Sequence, residues 1–139
     1  MPAGAGQPIT TCLRVLPMGF SWALHLCQGV LRRGLSLGGF PPSSLIEDGQ
    51  PGRQVRHGEP PVAAGYVDNF FVLGTEASST DSHCDCVRFQ LEKLGLVVHD
   101  REPASHDAEF LGLSLSEGRF LAVRPKCLWR LRLSIEKLL

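Results

Sequence analysis

Apolar positions recur along this chain with two periods, and the switches between them mark out its elements. Phe20, Ala23, Leu24, Cys27, Val30 and Leu31 fall on one face of a 3.6-residue repeat. That spacing predicts a helix running to Arg33, with Ser21 as its N-cap and Gly34 as its stop. Residues 37–61 are rich in glycine, proline and charge and read as a long loop or insertion. Strands over 62–67 and 70–73 then form a hairpin around Asp68 and Asn69. A helix follows from Thr80, its cap, to Leu94, and Gly95 ends it. The run LVVH at 96–99 reads as a short strand. The segment AEFLGLSLSEGRFLAV reads as a second hairpin turning at Glu117 and Gly118, with Phe110, Gly112 and Ser114 on one face and Leu111, Leu113 and Leu115 on the other. Pro125 opens a last helix whose apolar stripe is Leu128, Leu131, Ile135 and Leu138. The order helix, hairpin, helix, strand, hairpin, helix is α+β.

One position breaks the pattern. Asp68 sits inside the apolar run AGYVDNFFVLG, where a carboxylate costs solvation unless something compensates for it. Two readings account for it. Asp-Asn can form a tight turn, because both side chains hydrogen-bond their own backbone and tolerate positive φ. Alternatively, Asp68 is a metal ligand held at the hairpin tip.

Composition narrows the remaining choices. The 139 residues, 43% of them hydrophobic, suffice for one domain with a core. The N-terminal stretch lacks the charged-then-apolar pattern of a secretory leader. The longest uncharged stretch, Val15 to Leu31, is interrupted by Pro17, His25 and Gln28, so neither secretion nor a membrane span is expected and an intracellular location is. Five scattered cysteines read as reduced thiols. The cluster His83, Cys84, Asp85, Cys86 lacks a second ligand pair at zinc spacing. Cys84 instead shares a helical stripe with Val87, Leu91 and Leu94. The net charge of zero conceals segregation: residues 59–117 carry eleven acids against Arg88, Lys93 and Arg101, a balance of −8. From Gly118 onward Arg119, Arg124, Lys126, Arg130, Arg132 and Lys137 face only Glu136, giving +5. A basic end beside an acidic centre suits a nucleic-acid path past a metal-binding centre, or simply a solvated helix face.

These segments together resemble the palm of reverse transcriptases. LPMGFSWALHLCQ is similar to the family's leucine-proline, glycine-phenylalanine segment, which precedes a helix and ends about nine residues later in glutamine, here Gln28. YVDN resembles the Tyr-x-Asp-Asp signature on a hairpin. LEKLGLVVHDRE resembles the following helix and strand, and EFLGLSLSEGRFLAVRPK the Phe-Leu-Gly hairpin that leads toward the thumb. The four segments occur in the family's order and are spread along the chain from Leu16 to Lys126.

The resemblance implies a partial palm, a split βαβ, ferredoxin-like sheet with helices on one face. Its parts would be residues 1–36 through the first helix, 37–61 as insertion, 62–124 as palm hairpins and helix, and 125–139 as a basic amphipathic helix. It implies template-directed nucleotidyl transfer, RNA-directed DNA synthesis on an RNA template and DNA primer from deoxynucleoside triphosphates. Asp68 would be the catalytic, metal-ligating carboxylate for Mg²⁺ or Mn²⁺. Pro17, Met18, Gly19, Phe20 and Gln28 would border nucleotide and template. Tyr66, Phe110, Leu111 and Gly112 would hold the primer, and the basic residues of the last helix would touch backbone phosphates. Ordinary core packing is the competing role for Tyr66, Phe110 and Leu111.

Several positions depart from the family pattern. Asn69 stands where a second aspartate is usual, and Met18 replaces a polar glutamine. Arg101 is the cation nearest to an expected lysine. The family's first metal-binding aspartate has no counterpart among the fifteen residues before Leu16, and Glu47, Asp48 and Glu59 follow the first helix, a poor place for a substitute. One ligand cannot build a two-metal site, so the isolated chain is expected to be inactive unless a partner chain supplies the missing strand. The alternatives are a non-catalytic nucleic-acid-binding module and a non-functional remnant of a retrotransposon-type element, the kind of source the resemblance implies.

Overall fold

A computed structural model describes residues 19, 21–51 and 54–137. The expected roles of Pro17, Met18 and Phe20, and the place of Leu138 in the last stripe, lie outside these residues, as does the side chain of Leu131. Among the described residues the architecture is α+β, with three α-helices and two three-stranded sheets.

Helix α1 spans Ala23–Leu37 and buries Leu31, Gly34 and Leu35. It starts after Trp22 rather than Ser21 and does not stop at Gly34. A Cβ on Gly34 would collide with the side chain of Leu91, so the bare backbone there is a notch for a neighbouring helix rather than an end signal. The stop comes four residues later. Gly39 takes φ +99°, its N–H donates to Ser36 O at 3.2 Å, and Phe40 N–H donates to Leu35 O at 3.1 Å. This is the Schellman closure, and it throws Phe40, only 1% exposed, into the core.

The stretch read as a loop therefore contributes core and sheet. Beyond Phe40, a 3₁₀ turn at Pro42–Ser44 leads into strand β1, Leu45–Ile46. Strand β1 pairs in parallel with the central strand β2, Val62–Tyr66, and β2 pairs antiparallel with β3, Asn69–Leu73. Pleating sends Ala63, Gly65, Phe70 and Val72 to one face, where α1 and helix α2, Ala77–Lys93, both pack. The core there joins Leu31, Leu35, Phe40, Leu45, Ala63, Val87 and Leu91.

Helix α2 begins three residues earlier than Thr80, with Glu76 at its N-cap; the Thr80 hydroxyl instead donates to Glu76 O one turn back. Its end is the one expected. Gly95 takes φ +83° and Leu96 N–H donates to Leu91 O at 3.1 Å, a second Schellman closure. The run 96–99 is not a strand. Arg101 bonds Asp81 at 2.9 Å and Asp85 at 3.0 Å, and Ala104 N–H donates to Asp81 at 2.9 Å. Those contacts lay the chain back along α2, so only Val98 packs against the core while Val97 is exposed.

The second sheet is a meander of β4, Ala108–Phe110, β5, Leu113–Ser116, and β6, Phe120–Val123. The turn at Glu117 and Gly118 occurs as expected, with both residues at positive φ. A further turn at Leu111 and Gly112, φ +50° and +80°, splits the strand read there and makes Phe110 and Leu113 cross-strand partners, so the two expected faces do not persist. Arg124 N–H donates to Gly112 O at 2.9 Å, and Pro125 starts helix α3, Pro125–Glu136.

Candidate functional site

The hairpin tip is built from below by a single amide. Gln28, on the second turn of α1, donates from Nε2 to Gly65 O at 2.9 Å and accepts from Val67 N–H through Oε1 at 2.8 Å. Both ends of the side chain are thus used on the two sides of Tyr66. α1 can come this close because Gly65 has no side chain: a Cβ there would lie 2.8 Å from Leu31 Cδ2 and 3.0 Å from Leu35 Cδ1.

This bracket sets the turn one residue earlier than expected. The last strand pair is Tyr66 with Asn69, so the turn residues are Val67 and Asp68. Val67 carries φ +55°, a conformation that a β-branched residue adopts only when its surroundings impose it. The bond from its N–H to Gln28 supplies part of that imposition. Asp68 is exposed, and its Oδ1 accepts from Asn69 Nδ2 at 2.8 Å. Asn69 thus orients the carboxylate instead of adding a second charge.

Around the tip, Tyr66 is 55% exposed, which removes the core-packing role for it. Gly19 has φ +89°, and Trp22 and His25 stand edge to face at 5.8 Å on the turns of α1 that precede Gln28. Phe110 packs against Phe71 with ring centroids 4.0 Å apart, on the sheet face opposite the helices. This contact fastens the second sheet to the first, and core-like packing is the role it supports for Phe110. Leu111 is 54% exposed, and Gly112 abuts α3, where a Cβ would lie 3.0 Å from Cys127 Sγ.

Three other ionisable candidates are engaged elsewhere. Glu47 pairs with Arg32 at 3.0 Å, Glu59 lies 3.9 Å from Arg56, and Arg101 is committed to Asp81 and Asp85. Burial opposes the charge of Arg101, but the hydrogen bond to Asp85 and the charges of Asp85 and Asp81 outweigh it and hold the guanidinium further up its range. Cys84 is half-buried and Cys86 exposed, as the helical stripe requires. Burial pushes the Cys84 thiol up, and Asp85 and Asp81 act with it against the pull of Arg101. A cleft of about 310 Å³ lies at the opposite end of the hairpin, lined among others by Glu59, Pro61, Gly74, Glu76, Thr80 and His83. Strands of five residues put it roughly 15 Å from the tip.

A pair of divalent cations needs carboxylates from more than one strand. Among the described residues no three His, Cys, Asp or Glu side chains gather into a metal-holding group, and Asp68 with Asn69 does not make a two-metal donor set. Also among these residues, no helix is long and apolar enough to cross a membrane. Sequence reasoning singled out Gln28 and Asp68 but passed over Gly65 and Val67, which the bracket also involves. The signal for Gly65 was available: a glycine inside a strand pattern marks close approach of another backbone or helix. No protein-family model, curated protein or solved structure matches the chain.

Proposed function

We propose that this chain is the hairpin-bearing part of a reverse-transcriptase-type palm, with Asp68 as one metal-binding carboxylate and no polymerase activity until a second carboxylate joins it. The observation that carries the reading is the Gln28 bracket, in which the helix after the glycine-phenylalanine pair grips the turn that presents Asp68. Two segments 39 residues apart, singled out by one resemblance, are hydrogen-bonded to each other. The exposed Tyr66 beside Asp68 suits a primer end, and Gly19 and the start of α1 suit the nucleotide and template side. Divalent cations would supply charge neutralisation at the reacting phosphate, for which one carboxylate is too few.

A further strand would fit this reading at the edge of β3. Strand β3 ends its sheet, and its outer edge has no strand partner among the described residues. A strand with an aspartate added there would lie next to the hairpin tip.

Primer extension tests the reading, using an RNA homopolymer, a DNA primer and Mg²⁺ or Mn²⁺. The chain alone is expected to incorporate nothing. The chain extended by its upstream reading frame is expected to incorporate deoxynucleotides, and Asp68→Ala is expected to abolish this. Incorporation that survives Asp68→Ala, or an upstream frame that encodes no aspartate-bearing strand, would overturn it.

A further inference from the structure

Two exposed surfaces of this chain match each other in chemistry. Helix α3 meets the body near its start, where a Cβ on Gly112 would lie 3.0 Å from Cys127 Sγ. At 100° per residue, Trp129, Leu133, Lys126 and Arg130 follow one another over about 100° of the helix circumference, all turned at least about 60° away from Cys127. All four are exposed, Trp129 at 59%. The one acid of the helix, Glu136, is held by Arg132 at 2.8 Å, while Lys126 and Arg130 form no ion pair among the described residues. The stripe thus sets two apolar side chains beside two uncommitted cations. The second surface is the segment that leaves α2. Leu94, Leu96 and Val97 are exposed there, Val97 at 75%. Arg101 is turned inward to Asp81 and Asp85, whereas its neighbours Asp100 and Glu102 are exposed and form no ion pair among the described residues. The cations of α2 nearby are engaged, Arg88 by Glu92 at 2.9 Å and Lys93 over the Phe89 ring at 4.3 Å. This segment sets apolar side chains beside uncommitted acids.

We propose that copies of this chain associate head to tail, the α3 stripe of one copy docking on residues 94–102 of the next. Trp129 and Leu133 cover Leu96 and Val97 of the neighbour, and Lys126 and Arg130 meet its Asp100 and Glu102. Charge complementarity selects this occupant. The stripe belongs to the segment from Gly118 onward, which carries +5, and its counterpart to residues 59–117, which carry −8. Two α3 stripes facing each other would oppose like charges, and so would two copies of the 94–102 segment. The unlike pairing alone joins opposite charges while apolar side chains meet apolar ones. Because the contact uses two different patches, each copy that docks leaves one of each patch free. Copies therefore add in a row, ending only where a ring closes. The inference stands apart from the polymerase reading, since it needs neither Asp68 nor a metal.

Sedimentation equilibrium on the full chain tests it. The weight-average mass is expected to rise with concentration past that of a dimer, and raising the salt tenfold should weaken the association about tenfold, as screening of exposed charges requires. Trp129→Ala is expected to weaken it about tenfold as well, the usual effect of removing an aromatic anchor from a contact. Two variants then identify the surfaces. Lys126→Glu with Arg130→Glu reverses the stripe. Asp100→Asn with Glu102→Lys reverses its counterpart, asparagine tolerating the φ of +42° at position 100. Each variant alone is expected to stay monomeric, and an equimolar mixture of the two to associate again. That recovery cannot come from misfolded chains, and circular dichroism checks each variant separately. Asp68→Ala and chelation of divalent cations should change nothing, so this proposal and the polymerase reading fail separately. A wild-type chain that stays monomeric at every concentration, association that is indifferent to salt, or association that survives the change at Asp100 and Glu102 would each overturn the proposal.

Discussion

Removing the Gln28 amide is expected to destabilise the fold by about 1–3 kcal/mol, because Gln28→Ala leaves Val67 N–H and Gly65 O without their partners in a half-buried place. Urea unfolding measures this, and a loss below about 0.3 kcal/mol would mean that water replaces the bracket. Val67→Gly should act in the opposite sense at the same turn. Glycine accepts the φ of +55° without penalty, so relief of strain offsets the lost side-chain packing. The cysteines give a second residue-scale test. With its thiol pushed up by burial, Cys84 should alkylate more slowly than Cys86 at pH 8, and the difference should vanish in denaturant. The sign for stability follows. The unfolded chain loses the Cys84 proton first, so stability falls as pH rises through the ordinary thiol range and levels off above the folded value.

At the scale of elements, the glycines of α1 separate propensity from packing. Gly29 has open space around its missing Cβ, so Gly29→Ala is expected to stabilise by about 0.5–1 kcal/mol through helix propensity. Gly34→Ala gains the same propensity yet should destabilise by about 1–3 kcal/mol, because Leu91 occupies the space. Thermal unfolding of the two variants should move Tm in opposite directions. The same pair explains what could be read from the chain in advance. Periodicity located α1, α2, the β2–β3 hairpin and α3, since each displays an apolar stripe or alternation independent of its neighbours. It misread Gly34 as a stop, because a glycine that ends a helix and one that admits a neighbouring helix look alike until the neighbour is known. It misread 96–99 as a strand, because the pull of Arg101 toward Asp81 and Asp85 is a long-range charge contact with no period. At the site, Asp68 stood out as a charge in an apolar run, whereas the strain at Val67 arises from a hydrogen bond 39 residues away.

The molecule as a whole is unevenly held. The buried core belongs to α1, α2 and the first sheet, and the second sheet is fastened through Phe71 and Phe110 while the described side chains of α3 are exposed. Hydrogen exchange should therefore show slow amides in β2 and α2 and fast ones in β6 and α3, and Phe110→Ala should speed exchange in β4–β6 without changing β2. Uniform protection across both sheets would contradict this division. The exposed apolar side chains of β6 and α3, together with the edge of β3 that has no strand partner among the described residues, also make solubility depend on what covers them. The close approaches at Gly34 and Gly65, and that of Gly38, where a Cβ would collide with Val87 of α2, have a consequence of another kind. No residue is smaller than glycine, so every inherited replacement at these three positions adds bulk where helix meets helix or strand. In related sequences, substitutions at the three glycines should vanish wherever selection guards the fold, whatever stands at the position of Asp68. Sequences under no such selection should lose them as freely as any exposed position, and the ratio of the two outcomes would measure how strongly the fold is kept.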